Sequence, residues 1–231
     1  CDGSIFSFIE KGLSEQAGVL TVDFPGHGQS GEPPVPWGVP EYAGQIAGLL
    51  ESLSIAKVRV VAHSFGGRVA VYLASHRPEM VEQMVLTGAA GIRKPLTETQ
   101  KKRQARFKRM NAILNALKRL RLLRAMVERW QAALRRRYGS ADYARLNENM
   151  RRTFSKVISQ DLYPFLKDIQ APTLLVWGSE DTETPLWMGE QMEKAIPDAG
   201  LVVFEGRTHF AFIEEWQRFL TRQFFWGGQT A

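Results

Sequence analysis

The sequence predicts an α/β fold, a mostly parallel sheet with helices on both faces, plus an inserted all-helical segment. Three observations carry this. Short apolar runs rich in β-branched residues alternate with helix-type stretches along most of the 231 residues. These runs are nearly continuous and lack strict alternation, which suits strands buried on both faces. The alternation then stops over residues 93–165, where helical spacing takes over.

In chain order, "GVLTVDF" (18–24), "VRVVAH" (58–63), "MVLTGA" (84–89), "TLLVWG" (173–178) and "LVVFEG" (201–206) are expected to be strands. The stretch "PGHGQSGEPPVPWGVP" (25–40) is dense in Pro and Gly and predicts a surface loop. "PEYAGQIAGLLESL" (40–53) predicts a helix, with Pro40 at its start, where a missing N–H costs nothing. "GRVAVYLASH" (67–76), "PLWMGEQMEKAI" (185–196) and "FIEEWQRFLTRQFF" (212–225) predict three more. Alternation of this kind builds a sheet covered by helices. Between Met110 and Leu134 apolar residues recur at helical spacing against a dense Arg/Lys face. "YGS" (138–140) interrupts that pattern and "ADYARLNENMRRTFSKVI" resumes it. The expected domains are a core of 1–92 with 166–231 and a helical insertion of 93–165.

Composition bounds the function classes. Hydrophobic residues make up 44% of the chain, enough for a folded core. A single cysteine, Cys1, excludes an internal disulfide framework and a cysteine metal cluster. No apolar run approaches the roughly 18 residues of a membrane span, so no integral span is expected. The net charge of +6 conceals an asymmetry: residues 93–156 carry +16 and the remainder −10. The basic balance therefore bounds the partners of one segment only. Its basic residues are not interleaved with stacking aromatics, so no nucleic-acid partner is expected. A solvated polar face, with at most weak contact to an anionic surface, is the expectation for it. No signal peptide is visible, and a cytoplasmic location is expected.

The chemistry gathers in loops that follow strands. Ser64 lies in "VVAHSFGGRVA" (60–70), at a strand-to-helix turn, with small Ala62 two before and Gly66 two after. A nucleophile on such a turn projects its hydroxyl above the sheet edge, beside free helix N–H groups. A serine needs a base, and the base needs an orienting carboxylate. Of four histidines, His63 adjoins the serine and should point away, His27 lies in the loop after 18–24, and His76 ends a helix. His209 in "GRTHF" follows the last strand, at the sheet edge where such folds bind ligands. Asp181 in "VWGSEDTETP" is the acid candidate, with Glu180 and Glu183 as competitors. The chain order Ser64, Asp181, His209 matches one hydrolase superfamily.

With these residues in view, the chain resembles the α/β-hydrolase fold superfamily, in particular single-domain serine hydrolases with a helical cap. The resemblance covers nearly the whole chain and rests on "VDFPGHGQS" (22–30), "AHSFGG" (62–67), "PTLLVWGSEDTETP" (172–185) and "GRTHFAFIEE" (206–215). It implies Ser64 as nucleophile, Asp181 as acid, His209 as base, the Phe65 backbone N–H as one oxyanion donor, and 93–165 as a cap. No cofactor or metal is implied, and the partner is a small-molecule acyl substrate. The implied function is hydrolysis of an ester or related acyl compound. The alternatives are carbon–carbon bond hydrolysis of dienoate ring-cleavage products and a non-catalytic ligand- or anionic-surface-binding member. Phe65, Trp130 and Trp187 are candidate pocket walls.

The resemblance departs at the start of the chain. "CDGSIFSFIEKGLSEQAG" begins where similar proteins finish a His-Gly-rich loop after their third strand. The expectation is an N-terminally truncated sequence. The second oxyanion donor would then lie upstream of Cys1, and the strand between 18–24 and 58–63 would be missing.

Overall fold

The computed structural model describes residues 3–7, 10, 14, 17–93, 98–117, 126, 130 and 146–215, with backbone alone at 100, 115 and 117. The chain divides into two compact units, Cys1–Arg93 with Arg152–Ala231, and Lys94–Arg151.

The first unit holds a four-stranded parallel sheet: β1 (Val58–His63), β2 (Val81–Thr87), β3 (Thr173–Gly178) and β4 (Ala199–Phe204), in that spatial order. Among the described residues it also carries α1 (Val39–Ser52), α2 (Phe65–His76), α5 (Trp187–Ala195) and the short α6 (Ala211–Glu214). Side-chain alternation feeds two apolar clusters. Met84 and Leu86 of β2 and Leu175 and Trp177 of β3 enter a large cluster that includes α1 and α2 residues. Val85 and Val176 point the other way, to Phe204, Ala211 and Phe212. Both faces are therefore buried, which explains the near-continuous apolar runs in the sequence.

The expected strands at 58–63 and 173–178 match residue for residue. The other two start earlier than expected, at Val81 rather than 84 and at Ala199 rather than 201. The expected strand at 18–24 is not one. Among the described residues it forms no ladder, and the sheet ends at β1. Val19 is 39% exposed and Leu20 50%. A β-prone sequence without a hydrogen-bonded neighbour is not a strand, because pairing and packing stabilise it rather than intrinsic preference. Among the described residues, its later half is anchored: Thr21 lies against Gly3, where a methyl would overlap its Cγ2. The Asp23 carboxylate accepts from the N–H groups of Gly3 at 2.7 Å and Gln29 at 3.0 Å, and Phe24 packs on the core.

The Lys94–Arg151 unit contains α3 (Glu98–Leu117), which starts twelve residues before the expected stripe. Beyond Leu117 only Met126 and Trp130 of that stripe are described, both exposed; the rest lies outside the described residues, as does the expected helix beyond Glu215. Helix α4 (Glu148–Ser159) returns the chain to the first unit. Its C-terminal carbonyls are claimed by two guanidinium groups: Arg68 Nη1 donates to Val157 (3.1 Å) and Gln160 (3.2 Å), and Arg93 Nη1 to Ser159 (2.8 Å). Cations at a helix C-terminus meet both the unpaired carbonyls and the negative dipole end. Burial, with Arg93 adding to it, lowers the Arg68 pKa to about 10, which leaves it charged at neutral pH. Among the described residues no helix is long and apolar enough to cross a membrane.

Candidate active site

Ser64 follows β1 directly and caps α2, with φ 49° and ψ −109°. A positive φ on a non-glycine residue is strained by roughly 1–3 kcal/mol and persists only where the surroundings hold it. Three backbone hydrogen bonds do so. Ser64 N–H donates to the Thr87 carbonyl, and the Ser64 carbonyl accepts from Gly67 and Ala90, each at 3.1 Å. The sequence sets small residues, Ala62 and Gly66, two positions either side of the serine, yet the close approach behind the turn falls one residue later. A methyl on Gly66 would meet only Ala62 at 3.7 Å and Phe24 at 3.8 Å, which is ordinary contact. A methyl on Gly67 would sit 2.5 Å from the Ala89 Cβ. Gly67 is thus the residue that must lack a side chain.

Phe65 opens α2, so its N–H has no acceptor within the helix. Its ring is held by His27, stacked at 4.9 Å, and by edge contacts from Phe24 (5.3 Å) and Tyr42 (5.0 Å). Tyr42 itself is buried and donates to the Pro25 carbonyl at 3.0 Å, tying the 25–40 loop to α1.

Asp181 lies three residues beyond β3 and His209 five beyond β4. The two meet: His209 Nδ1 is 2.7 Å from Asp181 Oδ2, and both side chains are buried. The other carboxylate oxygen, Oδ1, accepts from the backbone N–H of Glu183 (2.9 Å) and Thr184 (2.8 Å). Oδ1 is thus supplied with donors by the backbone, which leaves Oδ2 to accept from His209 in the tautomer that carries a proton on Nδ1. Glu180, a competitor on sequence, is exposed and meets the His209 loop through its backbone alone, its N–H donating to the Arg207 carbonyl at 2.9 Å. The two loops also share a tight crossing. Gly178 ends β3 where any side chain would overlap the Arg207 and Thr208 carbonyls.

Strand register brings this pair to the serine's neighbourhood. His63 of β1 pairs with Thr87 of β2, so Ser64 and Gly88 leave adjacent strands side by side. A methyl on Gly88 would lie 3.0 Å from His209 Nδ1 and 3.2 Å from Asp181 Oδ2, so the pair rests on Gly88. The His209 ring also packs on His63, centroids 4.5 Å apart. Among the described residues no hydrogen bond joins Ser64 Oγ to His209; such bonds are often long before substrate binds.

A family model described as the alpha/beta hydrolase family matches residues 2–222. The chain belongs to the alpha/beta hydrolase family. It is 30% identical over 217 residues to the 2-hydroxy-6-oxononadienedioate/2-hydroxy-6-oxononatrienedioate hydrolase of Burkholderia vietnamiensis, covering 87% of this chain and 73% of that one. It is 26% identical over 215 residues to the 2-hydroxy-6-oxo-2,4-heptadienoate hydrolase of Pseudomonas putida, covering 90% and 77%. The crystal structure of a hydrolase from Pseudomonas aeruginosa superposes with a TM-score of 0.70 at 26% identity, over 99% of this chain and 86% of that one.

In this hydrolase three residues bear on the site in ways the sequence reading did not give. Thr184 places its hydroxyl 2.8 Å from Asp181 Oδ2, 2.9 Å from the Gly88 carbonyl and 3.1 Å from His209 Nδ1. A Thr three residues after the acid was the available signal. His63 was expected to point away from the serine. Its Nδ1 does turn to Thr87, 2.9 Å from the carbonyl, yet its ring face supports His209. Burial chiefly, and His209 next, lower the His63 pKa to about 4. Glu183 was weighed only as a rival acid; its Oε2 lies 3.6 Å from His209 Nε2. Of the expected pocket walls, Phe65 and Trp187 pack against the core and Trp130 is 66% exposed. Among the described residues no cluster of His, Cys, Asp or Glu has the arrangement of a metal site.

Proposed function

We propose that this protein is a serine hydrolase of esters or related acyl compounds, working through Ser64, His209 and Asp181. The observation that carries this is the Asp181–His209 pair resting on Gly88, one strand from a serine held at positive φ. His209 Nε2 takes the Ser64 proton as Oγ attacks the acyl carbon, and Asp181 stabilises the imidazolium through Nδ1–H. The Phe65 N–H donates to the oxyanion. The imidazolium then protonates the leaving group. Water, deprotonated by the same nitrogen, releases the acid from Ser64.

A second reading is supported by the two relatives named for dienoate substrates: hydrolysis of a carbon–carbon bond in a compound bearing a carboxylate. Such a carboxylate favours a free arginine. In the core unit, Arg68, on the first turn after Ser64, is committed to α4 carbonyls. Arg207, two residues before His209, is committed to Glu215 at 2.8 Å. Neither of these two is therefore the arginine that the second reading would need. Labelling with a fluorophosphonate tests the nucleophile, and an ester panel run beside a dienoate separates the substrates. Equal labelling of wild type and Ser64→Ala would end the serine reading. Turnover of the dienoate alone would select the second.

A further inference from the structure

His209 faces a carboxylate at each ring nitrogen. Asp181, on Nδ1, is buried. Glu183, on Nε2, has a side chain 68% exposed, with Oε2 at 3.6 Å. Its backbone is anchored. The Glu183 N–H donates to Asp181 Oδ1 at 2.9 Å, so the carboxylate that orients the imidazole also fixes the backbone presenting the second one. Among the described residues no lysine or arginine lies within salt-bridge distance of Glu183, so His209 is the partner it meets.

This inference rests on the serine-hydrolase reading. In that reaction Nε2 is the atom that moves the proton. Ser64 Oγ bonds to the acyl carbon and its proton goes to Nε2; the acyl C–O bond then breaks and that proton passes to the departing oxygen. The departing oxygen must come within about 2.6–3.2 Å of Nε2 to receive it. A carboxylate 3.6 Å from the same nitrogen shares that space. Glu183 takes no proton in these steps; its carboxylate stands beside the place where the leaving group departs.

We propose that Glu183 is a specificity-determining residue on the leaving-group side, selecting cationic or hydrogen-bond-donating leaving groups over anionic ones. The preference is Coulombic, and because the side chain is exposed it is moderate and screened by salt. It also disfavours a leaving fragment that carries a carboxylate, as a dienoate does.

The test uses the full chain and two esters sharing one short acyl group, with choline and glycolate as leaving alcohols. The readout is the ratio of kcat/KM for the cationic over the anionic ester. Glu183→Gln should lower that ratio roughly five- to tenfold at low ionic strength, and by less in 0.5 M salt. Glu180→Gln, an exposed carboxylate three residues away, should leave it unchanged. An unchanged ratio in Glu183→Gln, or an equal change in Glu180→Gln, overturns the inference while ester turnover keeps the serine reading. Absence of ester turnover in the wild type, with Ser64 unlabelled by fluorophosphonate, overturns both.

Discussion

Asp181 Oδ2 lies 2.7 Å from His209 Nδ1, and the Asp181 side chain is wholly buried beneath it. That contact leaves Nε2 as the imidazole nitrogen for the proposed proton transfer. Asp181→Asn keeps the size and loses the charge, and its amide can hold the wrong tautomer. A fall in kcat of about 10³–10⁴-fold is expected, with folding retained, by analogy with the serine proteases. Ester kinetics beside circular dichroism check it. Near-normal turnover would remove Asp181 from the mechanism.

Gly66 and Gly67 should respond in opposite ways to an added methyl. At Gly66 the methyl finds ordinary contacts and fixes helix backbone, so Gly66→Ala is expected to be neutral or slightly stabilising. Gly67→Ala drives the methyl into Ala89 and should cost about 1–3 kcal/mol. Urea denaturation of the two variants ranks them. The reverse ranking would contradict the packing described behind Ser64.

His63 makes the fold sensitive to acid. It is 5% exposed, and its folded pKa of about 4 lies below the unfolded 6.5. Above pH 6.5 both states are neutral and the full stability is present. Between 6.5 and about 4 the unfolded chain binds the proton first, so stability falls with pH. The limiting slope is about 1.4 kcal/mol per pH unit, and the loss approaches about 3 kcal/mol. His27, whose pKa burial also lowers, adds in the same direction. Urea midpoints at pH 7 and pH 5 should therefore differ less in His63→Leu than in wild type. Parallel losses in the two proteins would show that His63 is not the source.

Arg68 holds the end of α4. Arg68→Met keeps the length and apolar stem but leaves the Val157 and Gln160 carbonyls without its bonds. A loss of roughly 1–3 kcal/mol is expected, since the Gln160 carbonyl loses its charged donor and the Val157 carbonyl keeps only the Gln160 N–H at 3.3 Å. Hydrogen exchange should show the loss concentrated in Val157–Gln160. A uniform increase across the sheet would point elsewhere.

Much of the sheet and the Asp181–His209 pair was legible because both follow from local rules. Strands 58–63 and 173–178 are short apolar runs closed by His63 and Gly178, and the loops after β3 and β4 had to converge at one sheet edge. The segment 18–24 misled because Val19, Leu20 and Val22 have strand character while a strand also needs a partner, which composition does not reveal. Thr184 and Glu183 were missed as partners of His209 because their roles depend on how a turn folds back on Asp181, a three-dimensional fact. The tight position fell at Gly67 rather than Gly66 because Ala89, far along the chain, sets it.

The central claim is that Ser64 forms an acyl-enzyme with His209 as its base. Intact-mass and peptide mass spectrometry after rapid quench with a p-nitrophenyl ester tests it most directly. One acyl group is expected on the peptide containing Ser64, absent in Ser64→Ala and strongly slowed in His209→Ala. An adduct on another residue, or one that persists in Ser64→Ala, would contradict the account.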